Sequence, residues 1–294
     1  MRISIVFSVF NKFNYTKDCL EKLFKIIDNS IFEIVIINDG STDDTAQLLK
    51  ELKDRVHVIN GDGSYFWSKS MNLGINYSFD KLKSDFVVCW NNDIIPEDDY
   101  FYNLVSVLKQ NKPIDFLIGS KVFFKSPINK LFTFGCFFDY KLGTSVFNGH
   151  NCFDSKEYKN PIIVDWCGGM GLVIPRNVHN RVGNLDEFNF PQYKADSDYC
   201  LRSKSLGINL ICYPDLIIYN DTSNSGIGDY SQSFQSFFRS FTAINSTMNI
   251  RNNLNFIKKH CNKPLPYFYF LYTLLKYSIL FFCKKIYNKV LEKC

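Results

Sequence analysis

The sequence predicts an α/β fold built on a mostly parallel, doubly wound central sheet, on three observations. Short apolar runs alternate with amphipathic stretches through residues 3–109. Acidic clusters stand at or just past three of these stretches. They are Asn38-Asp39-Gly40-Ser41-Thr42-Asp43-Asp44, Asn91-Asn92-Asp93 and Ala195-Asp196-Ser197-Asp198. Carboxylates at the C-terminal ends of buried parallel strands face the crevice where open α/β sheets bind ligands. The third observation is a C-terminal segment, 231–294, that reads as helical, basic and aromatic.

The elements follow in order. Residues 3–9 are apolar and read as a buried strand. In 15–28, Leu20, Leu23, Phe24 and Ile27 share a helical face. Residues 32–37 form a second strand. Ser41 or Thr42 is expected to cap a helix to about 54, with Asp43 and Asp44 in its first turn, where the dipole favours anions. A short strand at 56–59 and the turn Gly61-Asp62-Gly63 lead to a helix at 65–79. A fourth strand covers 85–90, and Pro96 opens a helix to about 109. The rhythm then changes. Strands are expected at 116–124, as a pair within 131–147, at 164–166 and at 171–175. A helix at 195–206 ends at Gly207, with strands at 208–212 and 216–219. Residues 220–230, rich in Gly, Ser, Asn and Asp, read as a mobile flap. Helical segments near 234–260 and 266–291 close the chain.

The 294 residues suffice for one large domain or two small ones, and 46% hydrophobic with 21% charged is a globular balance. The net charge of +5 is uneven. Residues 251–294 hold nine of the 34 Lys and Arg but one of the 29 acids, Glu292, which leaves 25 bases against 28 acids before them. An acidic body with a basic, aromatic tail suits an anionic membrane surface and excludes the basic stripe of a nucleic-acid binder. The ten cysteines show no CxxC pair and no zinc spacing, as expected of buried, reduced thiols. The N-terminus runs straight into a strand with no signal-peptide pattern, so a cytoplasmic location is expected.

Each cluster has a chemical and a plain reading. Asp39 can accept from a base N–H or a ribose hydroxyl, or serve only in a capping segment. Asp93, on a loop fixed by Pro96, suits Mg²⁺ or Mn²⁺ held with diphosphate oxygens. Its plain reading is an Asx-turn. One of Asp196 and Asp198 can deprotonate a hydroxyl, or both are first-turn acids favoured by the dipole. Arg202 then reads as an i,i+4 partner of Asp198. The GDGSYFW segment lacks both GxxxxGK[ST] and GxGxxG.

Taken together, the strand end Ser8-Val9-Phe10-Asn11 and the strings IVIINDGSTDDT, GDGSYFWSKSMNLGI, VCWNNDIIPED, WCGGMGLVIPR and VGNLDEFNFPQYKADSDYCLRSKSLG resemble the family-2 glycosyltransferases, bacterial rhamnosyltransferase-like members above all. That resemblance implies the GT-A fold over 1–230, with a nucleotide-binding half at 1–115, an acceptor half at 116–230 and a tail at 231–294. It also implies inverting single displacement from a UDP- or dTDP-sugar to a glycan, expected to be lipid-linked. By the same resemblance Asp196 or Asp198 is the base. Val9, Asn11, Asp39, Ser41, Asp62, Ser64 and Asn72 belong to the nucleotide site. Trp67, Asn91, Asn92, Trp166, Gly168 and Gly169 belong to the donor and acceptor pocket, and Asp93 and Asp221 to a metal. Two departures are Ala195, where many relatives have Glu, and Asn91, where others have Asp.

Residues 265–283 carry one charge, Lys276, and precede Lys284 and Lys285. Their length approaches a membrane span. The central lysine and the tyrosines favour a helix lying in the interface at the inner face of the membrane. Two rival readings remain: a non-catalytic glycosyltransferase-like binding subunit, and a sugar-phosphate nucleotidyltransferase, whose glycine-rich loop is missing from residues 8–12.

Overall fold

The computed structural model describes residues 1–127, 129–221 and 233–291; most of the expected flap at 220–230 lies outside them. The first half follows the predicted alternation: β1 (Ile3–Val9), α1 (Phe13–Ile26), β2 (Phe32–Asn38), α2 (Thr45–Glu51), β3 (His57–Asn60), α3 (Phe66–Asp80) and β4 (Phe86–Cys89). Next come β5 (Ile94–Pro96), α4 (Tyr100–Gln110), β6 (Leu117–Phe124), β7 (Leu131–Thr133) and the hairpin β8 (Cys136–Asp139) with β9 (Thr144–Phe147). The remainder is β10 (Ile162–Val164), β11 (Leu172–Pro175), α5 (Arg176–Val182), α6 (Ala195–Ser205), β12 (Leu210–Asn220), α7 (Phe234–Ser240), α8 (Ile250–His260) and α9 (Leu265–Leu291).

The main sheet runs β10-β12-β6-β11-β4-β1-β2-β3. β1 lies parallel to β2 and β4, and β12 lies parallel to β6. β11 alone reverses inside the path, antiparallel to both β4 and β6, with Leu172 opposite Cys89. An inverted strand begins where its neighbours end. The chain just before β11, residues 166–171, therefore reaches the same edge as the C-terminal ends of β4, β1 and β2.

Period-two alternation divides the core into two layers. Ile34 and Ile36 of β2 face Leu20 and Leu23 of α1 and Leu104 of α4, while Val35 and Ile37 face Met71 and Ile75 of α3. Both sheet faces are covered, so the strands read as continuous apolar runs rather than as alternating ones. Nine described cysteines are free thiols, seven of them buried, and burial pushes that of Cys136 up to about 12.

Several expectations change. α2 starts at Thr45, because Asp43 accepts from the Thr45 N–H; neither Ser41 nor Thr42 caps it. Residues 94–96 pair with β12 as a strand, delaying α4 to Tyr100. The strands expected at 208–212 and 216–219 are one, β12, with a register shift between Cys212 and Ile217. The strand expected at 164–166 is β10, ending at Val164. Helix α5 was not foreseen; its seven residues are too few for a periodic signal. The expected helix at 234–260 is two, α7 and α8, the second capped by Asn249, whose side chain accepts from Asn252 N.

The C-terminal helices attach differently. Phe256 and Ile257 of α8 enter the main core. Phe281 of α9 stacks on Phe237 of α7, ring centroids 4.1 Å apart. The opposite side of α9 exposes Phe268, Leu271, Tyr272, Leu275, Ile279 and Ile286. That spacing makes one continuous stripe. Residues 265–287 are long and apolar enough to cross a membrane by length and composition, and 22% of the tested window is buried in the protein.

Contact between α3 and the sheet depends on Gly74. A Cβ there would stand 2.3 Å from Val6 Cγ1 and 2.6 Å from Ile37 Cδ1. Gly74→Ala is therefore expected to destabilise the fold by about 1–3 kcal/mol through overpacking, measured as a lower urea midpoint.

Candidate active site

The C-terminal ends of β1, β2 and β4 open into a cleft of about 480 Å³. Ser8, Val9 and Phe10 line it from β1, Asp39 from β2, and Asn91, Asn92 and Asp93 from β4. Gly63, Phe66, Trp67 and Ser70 form the wall from the start of α3. This is the position at which open α/β sheets bind ligands.

Asp39 organises that wall. Its Oδ1 accepts from Gly63 N at 2.9 Å, and its Oδ2 accepts from Tyr65 N and Phe66 N at 3.0 and 3.1 Å. The carboxylate thus takes up N–H groups at the mouth of α3, which a helix leaves unpaired and which carry its positive dipole end. Close backbone approach explains the glycines. At Gly40, with φ +71°, a Cβ would come within 2.7 Å of Gly63 N. Sequence reasoning treated NDGST and GDGS as separate turns; they pack on each other through Asp39.

Asp196, Gly168 and Gly169 are not among the lining residues; they stand beyond Trp67, which is. Trp67 Nε1 donates to Asn91 Oδ1 at 3.3 Å, and its backbone N–H donates to Gln192 Oε1 at 3.1 Å. Gly169 lies against the Trp67 ring, and its N–H donates to Asp196 Oδ2 at 3.1 Å. Ser197 N donates to Oδ1 at 2.8 Å. Burial outweighs these two hydrogen bonds and raises the Asp196 carboxyl above its usual range. A Cβ on Gly168 would be 3.6 Å from Asp196 Oδ2, so small residues at 168–169 keep the carboxylate approachable.

Asp198 is sealed instead. It has no exposed surface and meets Arg202 Nε, Lys259 Nζ and His260 Nε2, each at 2.8 Å. Burial raises its carboxyl, but these partners outweigh it and hold the group below the usual range. Arg202 is more than an i,i+4 partner, since it also donates to the carbonyls of Val182 and Asn184. The cluster joins α6 to α8 and to the end of α5.

Other predicted residues do not line the cleft. Asn11 and Ser41 bond each other, Asn11 N donating to Ser41 Oγ at 2.9 Å. Asp62 accepts locally from Ser64 N. Asn72 is buried and ties α3 to Leu185 and Glu187. Trp166 Nε1 donates to Ser145 Oγ on β9. Asp221 pairs with Lys125 at 2.9 Å. Asp93 does line the cleft, 3.7 Å from Lys12 Nζ. Among the described residues, no group of three or more His, Cys, Asp or Glu comes together as a metal site.

Eight lining residues were not among the expected site residues: Ser8, Phe10, Lys12, Gly63, Phe66, Ser70, Gln192 and Asn245. Ser70 is fully buried, and its Oγ has no partner among the described residues, an orphan hydroxyl beside the cleft. Its helical offset from Phe66 and Trp67 carried the only signal. Gln192 and Asn245 lie outside any strand end and carried none.

The model of the glycosyl transferase family 2 matches residues 4–159. The chain belongs to that family. A glycosyltransferase of Streptococcus pneumoniae is 23% identical over 72% of this chain and 30% of its own length. A low-salt glycan biosynthesis hexosyltransferase of Haloferax volcanii is 23% identical over 67% and 61%. The chain thus spans less than two thirds of either relative. Among solved structures, a mannosyltransferase from Pyrobaculum calidifontis in complex with GDP-Man and Mn²⁺ matches with TM-score 0.55 at 13% identity, covering 98% of this chain and 88% of that one. GalNAc-T7 with UDP, GalNAc and Mn²⁺ matches with TM-score 0.58 at 11% identity, covering 88% and 54%. At these identities the structural matches establish the GT-A fold alone.

The two acids of α6 differ in a way that stability reads out. A depressed carboxyl contributes stability above its unfolded value, and that contribution is lost as pH falls through the folded value. Asp198→Asn is therefore expected to cost about 3 kcal/mol at pH 7, and the difference from wild type should narrow below about pH 4. Asp196 has the opposite sign. Its raised carboxyl makes the ionised form a cost at neutral pH, so Asp196→Asn should stay within about 1 kcal/mol of wild type or exceed it. Urea unfolding across pH checks both.

Proposed function

We propose that this family-2 member is an inverting glycosyltransferase that moves a sugar from a UDP- or dTDP-linked donor to a hydroxyl of a lipid-linked surface glycan. The observation that carries this reading is the half-buried Asp196, held by two backbone N–H groups across Trp67 from the cleft at the ends of β1, β2 and β4. A base with a raised pKa is matched to taking a proton near neutral pH. As the acceptor oxygen bonds to the anomeric carbon, the bond from that carbon to the diphosphate breaks, and its electron pair leaves on the diphosphate. The hydroxyl proton passes to Asp196. No covalent enzyme intermediate is required.

Asp39 and Val9 border the nucleotide end, and the Ser70 hydroxyl offers a hydrogen bond that the protein leaves open. The residues present fit a divalent cation in one form: Asp93 alone, completed by diphosphate oxygens, the sparse protein ligation common for Mg²⁺. Mg²⁺ or Mn²⁺ bound there supplies countercharge to the leaving diphosphate. The Mn²⁺ in two structural neighbours supports this reading. Lys12 adds a second positive charge at the same edge.

The exposed stripe of α9 supports attachment to the cytoplasmic face of a membrane. One side of that helix packs on α7 while the other presents an apolar row. Such an arrangement suits a helix lying in the interface better than one that crosses it.

Three measurements test this function. Asp196→Asn should lower transfer by at least about 10²-fold while donor affinity by calorimetry is retained; near-normal turnover would overturn the base assignment. In the wild type the acid limb of kcat/KM should lie above pH 3.8, the ordinary carboxyl value, because the Asp196 carboxyl is raised. Nucleotide release from no sugar donor, with Mg²⁺ or Mn²⁺ present, would instead favour a non-catalytic subunit. For the membrane, the double variant Leu271→Glu, Leu275→Glu should abolish sedimentation with anionic vesicles, and undiminished pelleting would refute the α9 contact.

A further inference from the structure

A second cavity, about 930 Å³, adjoins the first and shares Phe66 with it. It lies between the start of α3, the 187–191 segment and the junction of α7 with α8. None of the site residues expected from the sequence falls in it except Ser64. Its chemistry is mixed. Phe188 on its wall is 86% exposed, an unusual state for so large an apolar side chain. Tyr65 and Phe241 add further aromatic surface. Asn252 is only 6% exposed, yet its Nδ2 has no hydrogen-bond partner among the described residues. A buried donor left unpaired is destabilising, so that amide calls for an acceptor. Glu187 contributes a carboxylate held by Asn72 Nδ2 at 2.7 Å, and Arg251 contributes a cation.

One acid, Glu187, faces two bases, Lys69 and Arg251, and Lys69 is already engaged over the Tyr65 ring at 3.8 Å; so small a net charge argues against a strongly anionic ligand. Aromatic faces beside a donor amide, a carboxylate and a guanidinium match a molecule with apolar C–H faces and many hydroxyls, each able to donate and accept. We propose that this cavity is a glycan-binding subsite that holds a neutral saccharide residue of the acceptor, one or more units behind the sugar that is modified. The proposal rests on the glycosyltransferase reading above and deepens it. Continuity through Phe66 lets one chain occupy both cavities, its reacting end toward Asp196 and its stem along α8. The C-terminal segment then supplies acceptor recognition, and residues 241–255 select for acceptor length.

The test uses the full chain and neutral oligosaccharides of one to five residues, built from hexose, deoxyhexose and N-acetylhexosamine units. In the wild type, kcat/KM should rise with acceptor length. In Phe188→Ala and in Asn252→Ala the ratio for trisaccharide over monosaccharide should fall by at least about tenfold, the worth of one lost contact of this size. Phe188→Trp should restore it. Donor affinity, measured alongside, reports whether each variant is folded with an intact donor cleft. An unchanged length ratio in both variants, with wild-type donor affinity, overturns the subsite. Saturation-transfer NMR with the same saccharides separates the two readings. Binding that Phe188→Ala abolishes, without transfer to any acceptor, keeps the subsite and refutes the transferase. Absence of saccharide binding to the wild type refutes the subsite.

Discussion

The sealed carboxylate of Asp198 is the constraint on which the functional half of the molecule depends. It stands in the first turn of α6, two residues from Asp196, and is gripped by Arg202, Lys259 and His260. A buried charge is tolerated only when its partners replace water, and removing one of them strands the rest. The same bonds draw α8 onto the catalytic body. Lys259 extends the cluster to Asp186 at 2.7 Å, which anchors the 186–192 segment that lines both cavities. The position of the proposed base, the wall of the first cleft and the floor of the second cavity are thus set by one ionic cluster and the apolar contacts of Phe256 and Ile257 around it.

Asp39 has the equivalent place on the β2 side of the cleft. Its three backbone hydrogen bonds weld the end of β2 to the mouth of α3, and the glycines at 40, 61 and 63 let the two turns touch. A residue doing this is committed to structure and still faces the cleft. Its capping and ligand-facing readings are therefore compatible: the carboxylate shapes the wall against which a nucleotide would rest.

The inverted strand β11 explains why a distant segment joins the crevice. Because it runs against β4, residues 166–170 enter the sheet at the edge where β4 leaves it. Gly168 and Gly169 thereby come beside Trp67 and Asp196 although about a hundred residues separate them from α3. Trp166, one step further back, turns away to Ser145 instead.

By itself the sequence determined the α/β alternation, the edge of the sheet that carries the cleft, and two acids that line it, Asp39 and Asp93. These are local signals: apolar runs, turn glycines and first-turn acids are set by neighbours in the chain. Only the tertiary structure set Asp196 apart from Asp198, since both look alike in a helix start and the second alone is sealed by Lys259 and His260 of α8. It also withdrew Asn11, Ser41, Asn72 and Asp221 from the cleft and added Lys12, Ser70, Gln192 and Asn245. For the four withdrawn residues the reason is one: a polar side chain's role is decided by which partner satisfies it, and those partners lie 30 to 115 residues away, a distance no local pattern records.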